Sequence, residues 1–254
     1  MQPFHILLLI GGYFSLLLAI SYITNKGGSN ADFFKAGKQN MSFSVPTGNF
    51  GDVYAGYMAK KMGLPIDKLI VATNENDILQ RVINTGEYKP DKVKQSLSPS
   101  MDIQVSSNFE RLLFDILSQD DKKVASLMND LKTKGFFKLN QESINNIKKN
   151  FCAEKINDEE TLAIIKKFYL KSKFILDPHT ATAFGAVKKI SNLSETIILG
   201  TAHPYKFLET VKKATDIELE MPSQLSNVMD KEERFDIIEN IIPKIKNYIL
   251  EKTI

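Results

Sequence analysis

The stretch SFSVPTGNFGDVYAGYMAKKMGLP, Ser42 to Pro65, decides how this chain is read. Ser42 to Val45 gives a short strand, and PTGNFGD then turns the chain. Gly48 and Gly51 can take positive φ and let backbone N–H groups crowd toward an anion. The helix expected from Asp52 or Val53 adds its positive end to the same place. Its Tyr54, Tyr57, Met58 and Met62 form a mixed face, and Gly63 with Pro65 stops it. Farther on, LIVATN at Leu69 to Asn74 is a buried-strand run, and DILQRVINTG at Asp77 to Gly86 is a helix closed by glycine. Strand, loop, helix, strand, helix predicts an α/β fold with a parallel sheet. Neither a Walker loop nor a dinucleotide fingerprint is present, because GKS and GxGxxG are both missing. By physics alone the pattern marks a place for a phosphate without naming its carrier.

Composition narrows the class. At 254 residues, 43% apolar and 25% charged, the chain has the make-up of a folded globular protein with room for a large core. A net charge of +3 gives no case for nucleic acid, and no basic run is interleaved with aromatics that could stack on bases. The single cysteine, Cys152, excludes an internal disulfide and leaves no thiolate cluster for zinc, which fits a reducing compartment. Three histidines, one of them His5 near the start, leave His179 and His203, too few for a closed metal site.

The chain changes character near residue 40. From Ile6 to Ile23, ILLLIGGYFSLLLAISYI is apolar and uncharged, about the lower length limit of a bilayer-spanning helix. Gly11, Gly12 and Ser15 would suit close helix packing in lipid, and Lys26, Lys35 and Lys38 favour a cytoplasmic C-terminal side. A signal peptide fits less well, since no basic residue precedes the run and NKGGSNADFF is a poor cleavage region. A buried soluble helix is a third reading, although such helices usually carry a polar face.

Tyr13 to Gly37, with its SNADFFKAGK ending, resembles the first transmembrane helix of sodium/solute symporters. No second charge-free run of spanning length follows Met41, so the join is read as a fusion, natural or artefactual. Residues 1–40 are expected to be an apolar helix and linker, with possible membrane contact through residues 6–23. Residues 41–254 form the second portion.

That second portion resembles threonine synthase, a pyridoxal-phosphate enzyme of the tryptophan-synthase-β type. The resemblance rests on VPTGNFGDVYAGYMAKKMGLPIDKLIVATNENDIL, then SPSMDIQVSSNFERLLFD at Ser98 to Asp115, DPHTATAFGAV at Asp177 to Val187 and LGTAHPYKFLETV at Leu199 to Val211, in family order. It implies a partial pyridoxal-phosphate fold of type II, a parallel sheet flanked by helices, with a separate N-terminal apolar helix. It implies that Gly48, Asn49, Phe50 and Gly51 cradle the phosphate of pyridoxal 5'-phosphate, with Asp52 in the same loop. Phe50 could equally anchor the loop in the core, and Asp52 could be a plain helix N-cap. Thr201 is implied beside the pyridine nitrogen, a neutral partner following the strand-like TIIL, Thr196 to Leu199.

Other residues carry blander readings. His203, just before Pro204, is expected to fix its loop by a hydrogen bond. His179 follows Asp177 and Pro178, a cap and a first-turn proline that open a helix, and for either histidine the alternative is a contact with substrate. Glu110 and Arg111 are expected on a solvated face. The lysine-rich stretch Asp120 to Lys173 is expected to be helical and solvent-facing.

The resemblance further implies a lyase that turns O-phospho-L-homoserine and water into L-threonine and phosphate in the cytoplasm. In that family the Schiff-base lysine lies in a Phe-Lys-Asp type motif in the N-terminal half. Phe34-Lys35-Ala36 lacks the aspartate and belongs to the symporter-like pattern. The chain is therefore expected to supply no catalytic lysine and to be inactive alone. The alternative is a fragment of a sodium/solute symporter, judged from residues 6–38.

Overall fold

The computed structural model describes residues 40–223 and 231–253. The apolar run Ile6 to Ile23, its linker and Phe34-Lys35-Ala36 lie outside the described residues. Among the described residues no helix is long and apolar enough to cross a membrane. The chain divides into two compact units, one through Glu218 and one from Leu219. The division falls inside the portion read from sequence as 41–254.

The first unit is built on a four-stranded sheet. Its strands are β1 (Met41–Pro46), β2 (Ile66–Thr73), β5 (Phe151–Lys155) and β6 (Thr196–Ile198), in the order β5-β2-β1-β6. Every pairing in it is parallel, with Val45 opposite Val71, Ser44 opposite Ile198 and Val71 opposite Ala153. A small antiparallel pair, β3 (Glu87–Tyr88) with β4 (Phe137–Lys138), stands apart from it. The expected α/β class with a parallel sheet flanked by helices is the fold found.

The continuous apolar run of β2 has a simple cause. Successive side chains point to opposite faces of a strand, so a strand buried on both faces must be apolar throughout. Leu69 and Val71 face a core with Phe50, Val53, Phe109 and Phe151. Ile70 and Ala72 face the other way, against Ala183 and Ala186. The first core is covered by α1 (Gly51–Lys61), α2 (Ile78–Thr85) and α3 (Phe109–Ile116). Gly86 closes α2 with φ 80°, as its sequence position predicts.

The lysine-rich stretch corrects one expectation. It does contain α4 (Asp121–Lys134), α5 (Gln141–Asn150) and α6 (Asp158–Ser172), and α4 buries no residue. Between the last two, however, runs β5, with Phe151 and Ala153 fully inside the core. Five residues at a sheet edge, FCAEK, are too few to stand out from the flanking helical pattern.

On the opposite face lies α7 (Pro178–Lys189), which meets β1, β2 and α6 through small residues. A Cβ on Gly185 would sit 2.6 Å from Ile164 Cδ1 and 3.0 Å from Ile156, so glycine sets how closely α6 can approach. The Ser44 hydroxyl donates to the Ala183 carbonyl at 2.8 Å, tying β1 to α7. After β6 a 3-10 turn, Pro204–Phe207, leads into α8 (Leu208–Thr215). The second unit contains α9 (Ile242–Thr253), which buries none of its residues. Asp236 there accepts a hydrogen bond from Tyr248 and pairs with Lys252 at 3.3 Å.

Candidate functional site

The loop after β1 is held at every step. Thr47 N donates to Ala72 O at 2.8 Å, and its hydroxyl donates to Val45 O at 2.6 Å. Phe50 then precedes α1 with φ 65°, a left-handed conformation that costs a residue bearing a Cβ about 1–2 kcal/mol. Its ring offsets that cost. It is fully buried, perpendicular to Phe109 at 5.3 Å and tilted against Phe151 at 5.5 Å. Gly48 and Gly51 can take positive φ, but neither does. Gly48 is there for space instead. A Cβ on it would lie 3.0 Å from Met101 Cα and 3.1 Å from Ser100 O.

Asp52 also departs from expectation. The helix begins at Gly51, with no side-chain cap, so Asp52 is an exposed residue of the first turn rather than the N-cap. Its charge there still favours the positive end of the helix. What the turn leaves open matters more. The amides of Gly48, Asn49, Phe50, Gly51 and Asp52 have no acceptor among the described residues. Successive unpaired donors at a helix start are the physical basis of an anion site.

A second wall is fastened to this loop. The Asn49 side-chain oxygen accepts from both the amide and the hydroxyl of Ser107, each at 2.9 Å. Buried Asn74, at the end of β2, lies within hydrogen-bond distance of Ser96 Oγ (2.7 Å), Ser98 Oγ (3.0 Å) and Asp102 Oδ1 (2.7 Å). Buried Asn76 reaches Asp102 Oδ1 at 2.9 Å and Lys94 O at 2.8 Å. A network with its members paired fixes backbone where no regular element exists. Here it sets the turn Pro99–Met101 against Gly48.

The start of α7 forms the floor. Asp177 caps it as expected, accepting from His179 N at 2.9 Å and Thr180 N at 3.3 Å, and from the Thr180 hydroxyl. Burial pushes the Asp177 carboxyl up, but hydrogen bonds from His179 and Thr180 outweigh it and hold the group below the usual carboxylate range. An ionised carboxylate only accepts, so His179 Nδ1, 3.2 Å from Asp177 Oδ1, is the donor. The His179 ring is 3% exposed and lies 4.9 Å from the Phe207 ring. Its other nitrogen, Nε2, is buried without a partner among the described residues.

The last wall follows β6. Leu199 N donates to Ser44 O at 2.9 Å, and the chain then runs exposed through Gly200 and Thr201. The Thr201 hydroxyl has no partner among the described residues. His203 does what was expected of it, accepting at Nδ1 from Tyr205 N at 3.2 Å.

These pieces enclose one cleft of about 280 Å³ at the C-terminal edge of the sheet. Gly48, Asn49, Phe50, Gly51, Asp52 and Thr201 all line it. His179, Ser100, Met101, Asn108, Lys206 and Phe207 join them. Sequence reasoning does not place this second set, although each residue falls inside one of the motifs quoted above. Nothing in residue type alone says which side of such a motif faces inward. Glu110 and Arg111 are exposed on α3, away from the cleft lining. Cys152 is half-buried on β5, and burial pushes its thiol up to about 11, so it stays protonated and unreactive at neutral pH. Among the described residues no group of three His, Cys, Asp or Glu could hold a metal ion.

The fold and cleft define an α/β protein with a donor-rich pocket at the mouth of a parallel sheet. It is similar to threonine synthases. A family model described as "Threonine synthase, C-terminal" matches residues 180–249. Threonine synthase of Pseudomonas aeruginosa is 43% identical over 214 residues, covering 83% of this chain and 46% of that protein. The Saccharomyces cerevisiae enzyme is 41% identical over 251 residues, covering 87% and 49%. The crystal structure of a PLP-bound threonine synthase from Brucella melitensis superposes with a TM-score of 0.79 at 42% identity, over 87% of this chain and 48% of that one. The chain spans about half the length of the curated relatives it matches.

Proposed function

We propose that this chain supplies the C-terminal part of a threonine synthase, which converts O-phospho-L-homoserine and water to L-threonine and phosphate with pyridoxal 5'-phosphate as cofactor. The observation that carries the reading is the cleft itself. Gly48 to Asp52, whose amides lack an acceptor among the described residues, and Thr201, whose hydroxyl lacks a partner among them, are far apart in sequence and line one pocket of ligand size. A phosphorylated aromatic ring needs donors at its phosphate end and a single polar contact at its ring nitrogen.

The donor set fits the cofactor. The Gly48–Asp52 amides and the start of α1 would hold its phosphate, with the Lys206 ammonium in the same lining adding positive charge. Asp52 opposes this, but it is exposed and therefore screened. The Thr201 hydroxyl would meet the ring nitrogen without forcing it to stay protonated. When bound, pyridoxal phosphate supplies an electron sink for carbanion chemistry beside the substrate's amino-bearing carbon. The chain's own part is to bind and orient: the packed loop fixes the phosphate, and the walls from Ser100 to Asn108 and from Thr201 to Phe207 shape the space around the reacting carbons.

The cytoplasmic placement of the enzyme portion belongs to the same reading. The symporter alternative and a membrane contact through residues 6–23 rest on residues outside the described ones. The similarity to threonine synthases accounts for the chain after Met41.

The test uses the full chain. Pyridoxal phosphate added to it should show a bound spectrum and quenched fluorescence. Phosphate release from O-phospho-L-homoserine should appear once the N-terminal half of a related threonine synthase is supplied as a separate chain. Failure to bind the cofactor at millimolar concentration, with no phosphate release in the mixture, would overturn the proposal.

A further inference from the structure

His179 has a buried nitrogen with no use. Its Nδ1 is committed to Asp177, whose carboxylate fixes the proton on that side. That leaves Nε2 either as a bare lone pair or, in the imidazolium, as a second donor. Either way a buried polar atom without a partner is costly, and native structures rarely leave one. His179 lines the cleft together with Gly48 to Asp52, whose five amides have no acceptor among the described residues. A ligand group that satisfies those amides is an acceptor with negative charge. Next to such a group, and with Asp177 accepting from Nδ1, the free position at Nε2 is the one placed to donate. The other charged side chains of the lining, Lys206 and Asp52, come from the turn before α8 and from α1.

We propose that His179 Nε2 donates a hydrogen bond to a phosphate oxygen of the ligand bound in this cleft, with Asp177 holding the ring in position. The inference rests on the proposed function only for the identity of the phosphate's carrier. Two carriers offer the same chemistry: the cofactor and the phosphorylated substrate.

The experiment follows the ¹⁵N signals of the His179 ring in the full chain. Inorganic phosphate should move Nε2 to the position of a protonated donor. Pyridoxal phosphate reproducing the change alone assigns the contact to the cofactor; O-phospho-L-homoserine being required assigns it to the substrate. H179N keeps a partner for Asp177 but removes Nε2, and should weaken phosphate binding about tenfold, the scale of one charge-assisted hydrogen bond. H179Q, which restores a neutral donor at that reach, should recover part of the loss. An Nε2 signal unmoved by all three ligands, with H179N binding as tightly as the parent chain, would show that an internal water satisfies the ring, and would overturn the inference. If inorganic phosphate moves the signal while neither organic phosphate binds, the His179 contact stands and the threonine synthase reading fails. If the cofactor binds while the His179 signal stays still, the threonine synthase reading stands and the His179 contact fails.

Discussion

Two loops leave the C-terminal edge of the same sheet and line the same cleft, one after β1 and one after β6, and they are secured very differently. In the first, Thr47 bonds at both its amide and its hydroxyl, Phe50 is sealed between two aromatic rings, and Gly48 is packed against backbone. In the second, Leu199 makes one bond back to β1, and Gly200 and Thr201 are exposed with the hydroxyl unpaired. The first loop is built before any ligand arrives. The second is tied on either side, by Leu199 and by the His203 turn, but its tip at Gly200 and Thr201 is held by little, so a ligand has most to gain by ordering that tip. Preorganised donors bind an anion without reorganisation cost, while an adaptable wall can close on the variable part of a ligand.

The largest expected effect breaks the stiff loop. F50A should lower unfolding stability by about 3–5 kcal/mol, the range for emptying a buried aromatic site. F50G should do no worse, because glycine takes the left-handed conformation without the Cβ penalty. Urea denaturation of both variants checks this. F50G proving less stable than F50A by more than about 1 kcal/mol would mean that φ 65° costs the wild type nothing.

A middle effect probes the floor between the two loops. The folded Asp177 carboxyl titrates below its unfolded value of about 3.9. Its contribution is therefore fully present above that value and fades as pH falls through the folded one. D177N should cost about 1–2 kcal/mol at neutral pH, the scale of hydrogen bonds to a charged group. The gap from wild type should close on going below about pH 4. A gap that stays constant down to pH 2 would show that the charge is not what holds α7.

How much of this was legible follows from what sequence patterns record. β1, β2, α2 and the Asp177-Pro178 helix start could be read because period, caps and glycine stops are local signals. Gly48 stands out in the sequence, but the structure ties it to volume rather than to φ. Sequence shows that a glycine is required but not whether φ or volume requires it, and Met101 supplies the volume limit from a distant segment. Phe50 carries the left-handed turn instead because its ring has two partners, Phe109 and Phe151, that only the folded chain brings together. β5 was hidden in a lysine-rich helical stretch because an edge strand of five residues has no period of its own to show. From the sequence His179 is chiefly a first-turn residue, with substrate contact as the lesser reading. Its unpaired Nε2 is a property of burial, which no local pattern encodes.

The smallest effect on folding should carry a clear effect on binding. Thr201 is exposed and its hydroxyl bonds to nothing among the described residues. T201V keeps the shape and removes the hydroxyl, so stability should change by no more than about 0.5 kcal/mol, as for most surface substitutions. If the hydroxyl meets the ring nitrogen of pyridoxal phosphate, the variant loses one neutral hydrogen bond, worth about 1 kcal/mol or roughly fivefold in affinity. T201S, which restores the hydroxyl, should recover most of that. The measurement is a fluorescence titration with the cofactor, paired with urea unfolding of the same samples. Equal cofactor affinity in wild type and T201V would remove Thr201 from the site and leave the β6 loop as a wall that shapes the cleft without contacting the ring. A stability loss of several kcal/mol in T201V would instead show that the second loop is as firmly built as the first, and the contrast between them would fall.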